Sequence, residues 1–295
     1  MPIASINGTI IYYETKGEGL PIVFVHPPLL TGANFRYQQA QLSDEFQVVT
    51  FDIRGHGRSG KSKAPLSYSL IAEDIKQLLD HLDIRQAVIC GYSTGGTVAL
   101  EAVLTYPDRF LGCILVSSMP EASDFVLKTR IRLAAGLSRW KPTFALLRAA
   151  ITWGNADSRL TFRNLLRDAK RGDRANIRQY YRISLDFAIT RRLREVSVPV
   201  LLLYGKKDHS FFRYMRMLEQ ELPSCELHVL EGEKHQLPTK AAAKMNERIR
   251  SWLAPLALQT GHSGQRSERL RDRVPESALA AEPAEHAEGT EPISH

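Results

Sequence analysis

The feature that most constrains this chain is an alternation of short, almost uninterrupted apolar runs with stretches of helical period. Five such runs, Pro21–His26, Phe46–Phe51, Ala87–Tyr92, Leu111–Ser117 and Val198–Tyr204, are six or seven residues long and rich in Val, Ile and Leu. A strand with one wet face alternates polar and apolar residues, whereas a strand covered on both faces is apolar throughout, as in parallel sheets. Between the runs, Ser69–Asp83 places Leu70, Ile71, Ile75, Leu78, Leu79 and Leu82 on one helical stripe. Thr94–Tyr106 forms a second helical segment, stopped by Pro107. The alternation predicts an α/β fold with a mostly parallel central sheet and helices on both faces. Ile3–Ile6 and Ile10–Thr15, hinged at Asn7-Gly8, read as an antiparallel hairpin at its edge.

The alternation breaks between about 119 and 195, where the periodicity is helical throughout and no strand is evident. An all-helical insertion between two strands is expected to lie as a cap over one end of the sheet. Beyond Pro255 aromatic residues cease and Ala, Glu, Ser, Pro and Gly dominate. Such a stretch buries too little apolar surface to offset its ordering entropy, so 255–295 is expected to be a disordered tail. The folded unit is then 1–254, which suits one α/β domain.

With 43% hydrophobic and 24% charged residues, a wholly disordered chain is excluded. No apolar run approaches the roughly 18 residues that span a bilayer. The chain enters a strand pattern at once, without a basic and apolar leader. Three cysteines, Cys90, Cys113 and Cys225, are too few and too scattered for a disulfide framework or a zinc site. The expectation is a cytoplasmic protein needing neither metal nor cofactor. Its net charge of +7 is uneven: 128–194 holds 17 Lys+Arg against 4 Asp+Glu, while the tail is net negative. A basic cap suits an anionic small-molecule substrate or an acidic surface. No nucleic-acid-binding pattern accompanies it, so nucleic acid is not an expected partner.

Two motifs compete for the chemistry. Gly55 to Ser62 satisfies the G-x-x-x-x-G-K-[ST] pattern of a phosphate-cradling loop. That loop must run straight into a helix, and here Pro65 intervenes before helical periodicity begins near Ser69. Gly91-Tyr92-Ser93-Thr94-Gly95 has the context the other lacks, with a strand running in and a helix leaving. Such a turn exposes a serine Oγ, and the helix N-terminus favours negative charge developing beside it. A serine nucleophile needs a histidine base, and the base needs an orienting carboxylate. Asp208 and His235 follow in that order, each just beyond a strand-like run, so all three residues sit at one edge of the sheet. Glu121 and Asp124 are the alternative acids. His209 reads as a mouth or surface residue, and His81 and His228 lie within regular elements.

Over residues 3–254 the chain resembles the α/β-hydrolases. The likeness rests on His26-Pro27-Pro28 after the third strand, the loop Asp52-Ile53-Arg54-Gly55-His56-Gly57-Arg58-Ser59, the Ser93 turn, and the Asp208 and His235 loops. It is similar above all to capped small esterases, lipases, lactonases and cofactor-free haloperoxidases. The resemblance implies ester or related acyl hydrolysis through Ser93, His235 and Asp208 and an acyl-enzyme. It further implies an oxyanion hole built from Thr94 N–H and a second backbone donor. Family members read His-Gly-X there and use the N–H of X. Here X is Pro28, which has none, so Leu29 is expected to take over. Perhydrolase or haloperoxidase chemistry, acyl transfer, and a low-turnover signalling or small-molecule receptor role are the alternatives.

Overall fold

The structure, a computed structural model, describes residues 2–259. Among the described residues eight strands form one sheet: β1 (Ile3–Ile6), β2 (Thr9–Lys16), β3 (Leu20–Val25), β4 (Phe46–Phe51), β5 (Ala87–Tyr92), β6 (Phe110–Val116), β7 (Val200–Gly205) and β8 (Cys225–Leu230). Their spatial order is β1-β2-β4-β3-β5-β6-β7-β8. The pairs β1/β2 and β2/β4 are antiparallel and all the others parallel. The hairpin turns at Asn7 and Gly8, both at positive φ (45° and 72°), which is what a two-residue turn matched to strand twist requires.

The apolar runs are buried at every position in β3, β5 and β7, because helices cover both faces. The helices of the main fold are α1 (Arg36–Leu42), α2 (Tyr68–His81) and α3 (Thr94–Thr105). Four more helices stand between β6 and β7: α4 (Phe125–Leu137), α5 (Lys141–Asn155), α6 (Arg159–Ala169) and α7 (Arg174–Asp186). The fold closes with α8 (Phe212–Glu221), α9 (Leu237–Lys240) and α10 (Ala242–Gln259). One buried apolar cluster includes Val23, Ile89 and Leu202 with the α2 and α3 side chains, and the other includes Ile22, Val88 and Leu201 with the α10 side chains. Alternate residues of each strand therefore serve opposite faces.

Three of the four inserted helices, α4, α6 and α7, start on caps that the sequence supplies. Asp124 accepts from Leu127 N–H, Ser158 from Thr161 N–H, and Asp173 from Ala175 and Asn176 N–H. The two ends of the insertion are tied together at its neck. Glu121 bridges Ala188, Ile189 N–H donates to Pro120 O at 3.1 Å, and Thr190 Oγ1 donates to Glu121 at 2.6 Å.

The boundary expected at 254/255 needs correction, because α10 continues through Pro255 to Gln259. Composition pointed to a break there, but Leu256 and Ala257 still pack against the second apolar cluster and hold the last turn. The rest of the expected tail, 260–295, lies outside the described residues.

Candidate active site

Ser93 stands between the end of β5 and the start of α3 with φ 55° and ψ −124°, a conformation that L-residues avoid at a cost of about 1–3 kcal/mol. The surroundings impose it. Ser93 N–H donates to Val116 O at 2.9 Å, while its carbonyl accepts from Gly96 N–H and Ser118 Oγ, both at 3.0 Å. A Cβ on Gly95 would lie 2.2 Å from Val25 O, and one on Gly91 would lie 2.4 Å from Gly95 O. Only glycine lets β3, β5 and α3 approach this closely.

The β7 and β8 loops bring the other two residues to the same edge. His235 Nε2 lies 3.2 Å from Ser93 Oγ, and His235 Nδ1 lies 2.7 Å from Asp208 Oδ2. Asp208 is buried and also accepts from Ser210 Oγ at 3.2 Å. The imidazole is held between the Phe211 ring, 4.3 Å away by centroids, and that of Tyr92 at 5.4 Å. Tyr92 is fixed in turn by donating to Asn155 Oδ1 of α5 at 3.0 Å. None of these positioning residues was singled out from sequence, although Tyr92 sits inside the Ser93 motif.

The alternative acids are committed elsewhere: Glu121 to Thr190 at the neck, and Asp124 to capping α4 and accepting from Tyr214. His209 is exposed against Phe212. Thr94 lines the cavity in front of Ser93, as do Pro27, Pro28 and Leu30. Leu29 does not. Its side chain is fully buried in the core and its φ is 72°.

The phosphate-loop mimic is a structural turn. Asp52 accepts from Gly32 and Arg58 N–H, each at 2.8 Å, and no helix begins between Gly55 and Tyr68. Beneath it, Ile53 N–H donates to His26 Nε2 at 2.9 Å, which leaves Nδ1–H to donate to Pro27 O at 2.9 Å. The Pro27-Pro28 turn is thus tied to the β4 loop through a neutral imidazole.

Burial holds His26 well below the usual imidazole range, with the nearby His56 ring adding to the effect, and pushes His56 down to about 4. Burial pushes Asp52 the other way, up to about 6. An unfolded chain protonates both imidazoles below about pH 6.5 while burial keeps them neutral in the folded chain, so their stability contribution shrinks as pH falls below about 6.5. Asp52 takes its proton at higher pH when folded, and its contribution grows between about pH 6 and 4. Two imidazoles outweigh one carboxyl. Urea unfolding is expected to give a free energy about 2–3 kcal/mol lower at about pH 5 than at about pH 7. An equal value would mean that the imidazoles are protonated in place.

The cavity over Ser93 has a volume of about 430 Å³. Its walls come from the sheet edge and from the insertion, including Met119, Ile131, Ala134 and Ile151. Three cations also line it: Arg130 of α4, Lys207 beside Asp208, and Lys234 beside His235. Among the described residues no group of three His, Cys, Asp or Glu side chains converges to hold a metal ion.

Comparison with known proteins matches residues 21–238 to a model of the alpha/beta hydrolase fold. A candidate carbamate hydrolase of Azorhizobium caulinodans is 32% identical over 142 residues, 46% of this chain and 53% of that protein. The chain thus aligns with about half the length of that relative. 3-Oxoadipate enol-lactonase 2 of Acinetobacter baylyi is 26% identical over 70% of this chain and 82% of its own length. Among solved structures, the malate-bound thermophilic esterase of Thermogutta terrifontis is 25% identical with a TM-score of 0.72, covering 86% of this chain and 97% of that one. The enol-lactonase of Burkholderia xenovorans LB400 shares the fold at 21% identity and TM-score 0.76, covering 86% of this chain and all of that one.

Proposed function

The chain belongs to the alpha/beta hydrolase fold family, and on that premise we propose that it is a serine hydrolase cleaving an ester or related small acyl substrate. The observation that supports this most is the relay from Ser93 Oγ through His235 to Asp208, at 3.2 and 2.7 Å. With Nδ1–H donated to Asp208, His235 Nε2 is free to take the Ser93 proton as Oγ attacks the carbonyl carbon. The Thr94 N–H, at the N-terminus of α3, is then the donor that would stabilise the oxygen on which charge develops. Collapse expels the alcohol, which takes the proton from His235 and leaves an acyl-Ser93 ester. Water, deprotonated by the same imidazole, attacks that ester and releases the acid.

Arg130, Lys207 and Lys234 suit a substrate that also carries an anionic group. Among the described residues Asp208 is the one carboxylate on the cavity wall, and His235 engages it. Arg130→Gln is expected to raise KM about fivefold for an ester whose acyl chain ends in a carboxylate, with kcat little changed. A neutral ester of the same length should show no such change. Equal effects on both esters would remove the anion from the substrate description.

Pro28, on the cavity wall without an N–H, favours a second reading, a binding protein of low turnover. An assay over aryl esters of short and long acyl chain, together with lactones, separates the two. The hydrolase reading expects turnover by the wild type. No turnover anywhere on the panel would contradict it and favour binding.

A further inference from the structure

Ten large apolar side chains stand exposed among the described residues, and seven of them lie between Phe125 and Leu160 of the insertion. They are arranged in stripes. Val126 and Leu133 are seven apart on α4, and Leu146 and Trp153 are seven apart on α5, spacings that keep each pair on one side of its helix. Trp140, 66% exposed, stands between the two helices. Monomer surfaces seldom expose apolar side chains this densely without a use.

The same segment, 125–163, carries eight basic residues and one acid, Asp157, which accepts from Tyr37. None of the eight has a carboxylate within ion-pair distance among the described residues. The ion pairs of the insertion use Asp168, Asp173, Arg167, Arg192 and Arg194 instead. Unpaired cations interleaved with exposed Trp, Leu and Val match the chemistry of an anionic lipid surface, where apolar groups enter the headgroup boundary and basic groups meet phosphates. A second copy of the chain matches it poorly. A two-fold contact sets a surface against itself and would place these unpaired cations opposite their own kind.

We propose that α4, α5 and the turn between them dock on a bilayer carrying anionic headgroups. Leu127, Ile131 and Ala134 of α4 also line the cavity over Ser93, so the docked helix forms a wall between the membrane side and the site. This inference stands on the exposed face and does not depend on the catalytic reading.

Sedimentation of the full chain with phosphatidylcholine vesicles, with and without about one-third phosphatidylglycerol, tests it. Binding is expected to the anionic vesicles alone, to weaken with added salt, and to shift tryptophan emission to shorter wavelength. The combined substitution Leu133→Ser, Trp140→Ser and Leu146→Ser is expected to weaken binding at least about tenfold. The exposed pair Arg132→Glu and Arg139→Glu should do likewise, and both variants should hydrolyse a soluble ester as the wild type does. Failure to bind anionic vesicles at low salt, equal binding to both vesicle types, or undiminished binding by both variants would overturn the proposal. So would a solution dimer that the serine variant dissociates.

Discussion

Ser93→Ala is expected to lower kcat for ester hydrolysis by about 10⁵- to 10⁶-fold while leaving KM almost unchanged. The substitution removes only the oxygen proposed to form the acyl bond. Alanine has the same Cβ, and the contacts that force the positive φ are made by the backbone of residue 93 rather than by its Oγ. The variant should therefore fold and melt as the wild type does. Its remaining rate would come from substrate orientation and the Thr94 N–H, which survive the change. Steady-state kinetics on any ester that the wild type turns over, beside a thermal melt, measures both. A variant that folds normally and keeps even a tenth of the wild-type rate would exclude Ser93 as the nucleophile.

The second large effect is expected at Asp208. Asp208→Asn should cost about 10⁴-fold in kcat, because the amide can offer an N–H to His235 Nδ1 and so force the proton onto Nε2. Nε2 faces Ser93 Oγ at 3.2 Å, and a protonated nitrogen there cannot accept the serine proton. Asp124→Asn is the contrasting variant. Its carboxylate caps α4 and accepts from Tyr214, so its loss should cost stability and leave kcat within a few-fold. Comparison of kcat for the two variants near neutral pH identifies the acid. The reverse ranking would assign the acid to the segment after β6.

Much of the frame was legible in sequence because it rests on local rules. Runs apolar at every position predict strands covered on both faces, and β3, β5 and β7 are buried throughout. Gly91 and Gly95 around Ser93 predict a close turn, and the added-Cβ distances show why no side chain fits. What escaped notice depends on direction and on distant partners. Nothing local to Leu29 says that its side chain enters the core while Pro28 and Leu30 face the cavity. Arg130, Lys207 and Lys234 meet only because α4 folds back over the β7 and β8 loops, a convergence that periodicity does not encode. Phe211 gives no sign at its own position that its ring lies against His235. Composition placed the end of the folded unit at 254, yet packing of Leu256 and Ala257 carries the last helix to Gln259. The basic bias of the insertion was plain from counting. That its apolar residues stand beside those charges on the outside required coordinates, since periodicity names faces without saying which are covered.

The most direct test of serine-based acyl chemistry is to catch the acyl group itself. Full-length protein is mixed with an activated aryl ester that it hydrolyses, quenched in acid during turnover, digested and mapped by mass spectrometry. The expected result is one acyl group on the peptide containing Ser93, absent from Ser93→Ala and lost from the wild type as substrate is exhausted. Continued turnover with no adduct, or with the acyl group on another residue, would contradict nucleophilic catalysis by Ser93.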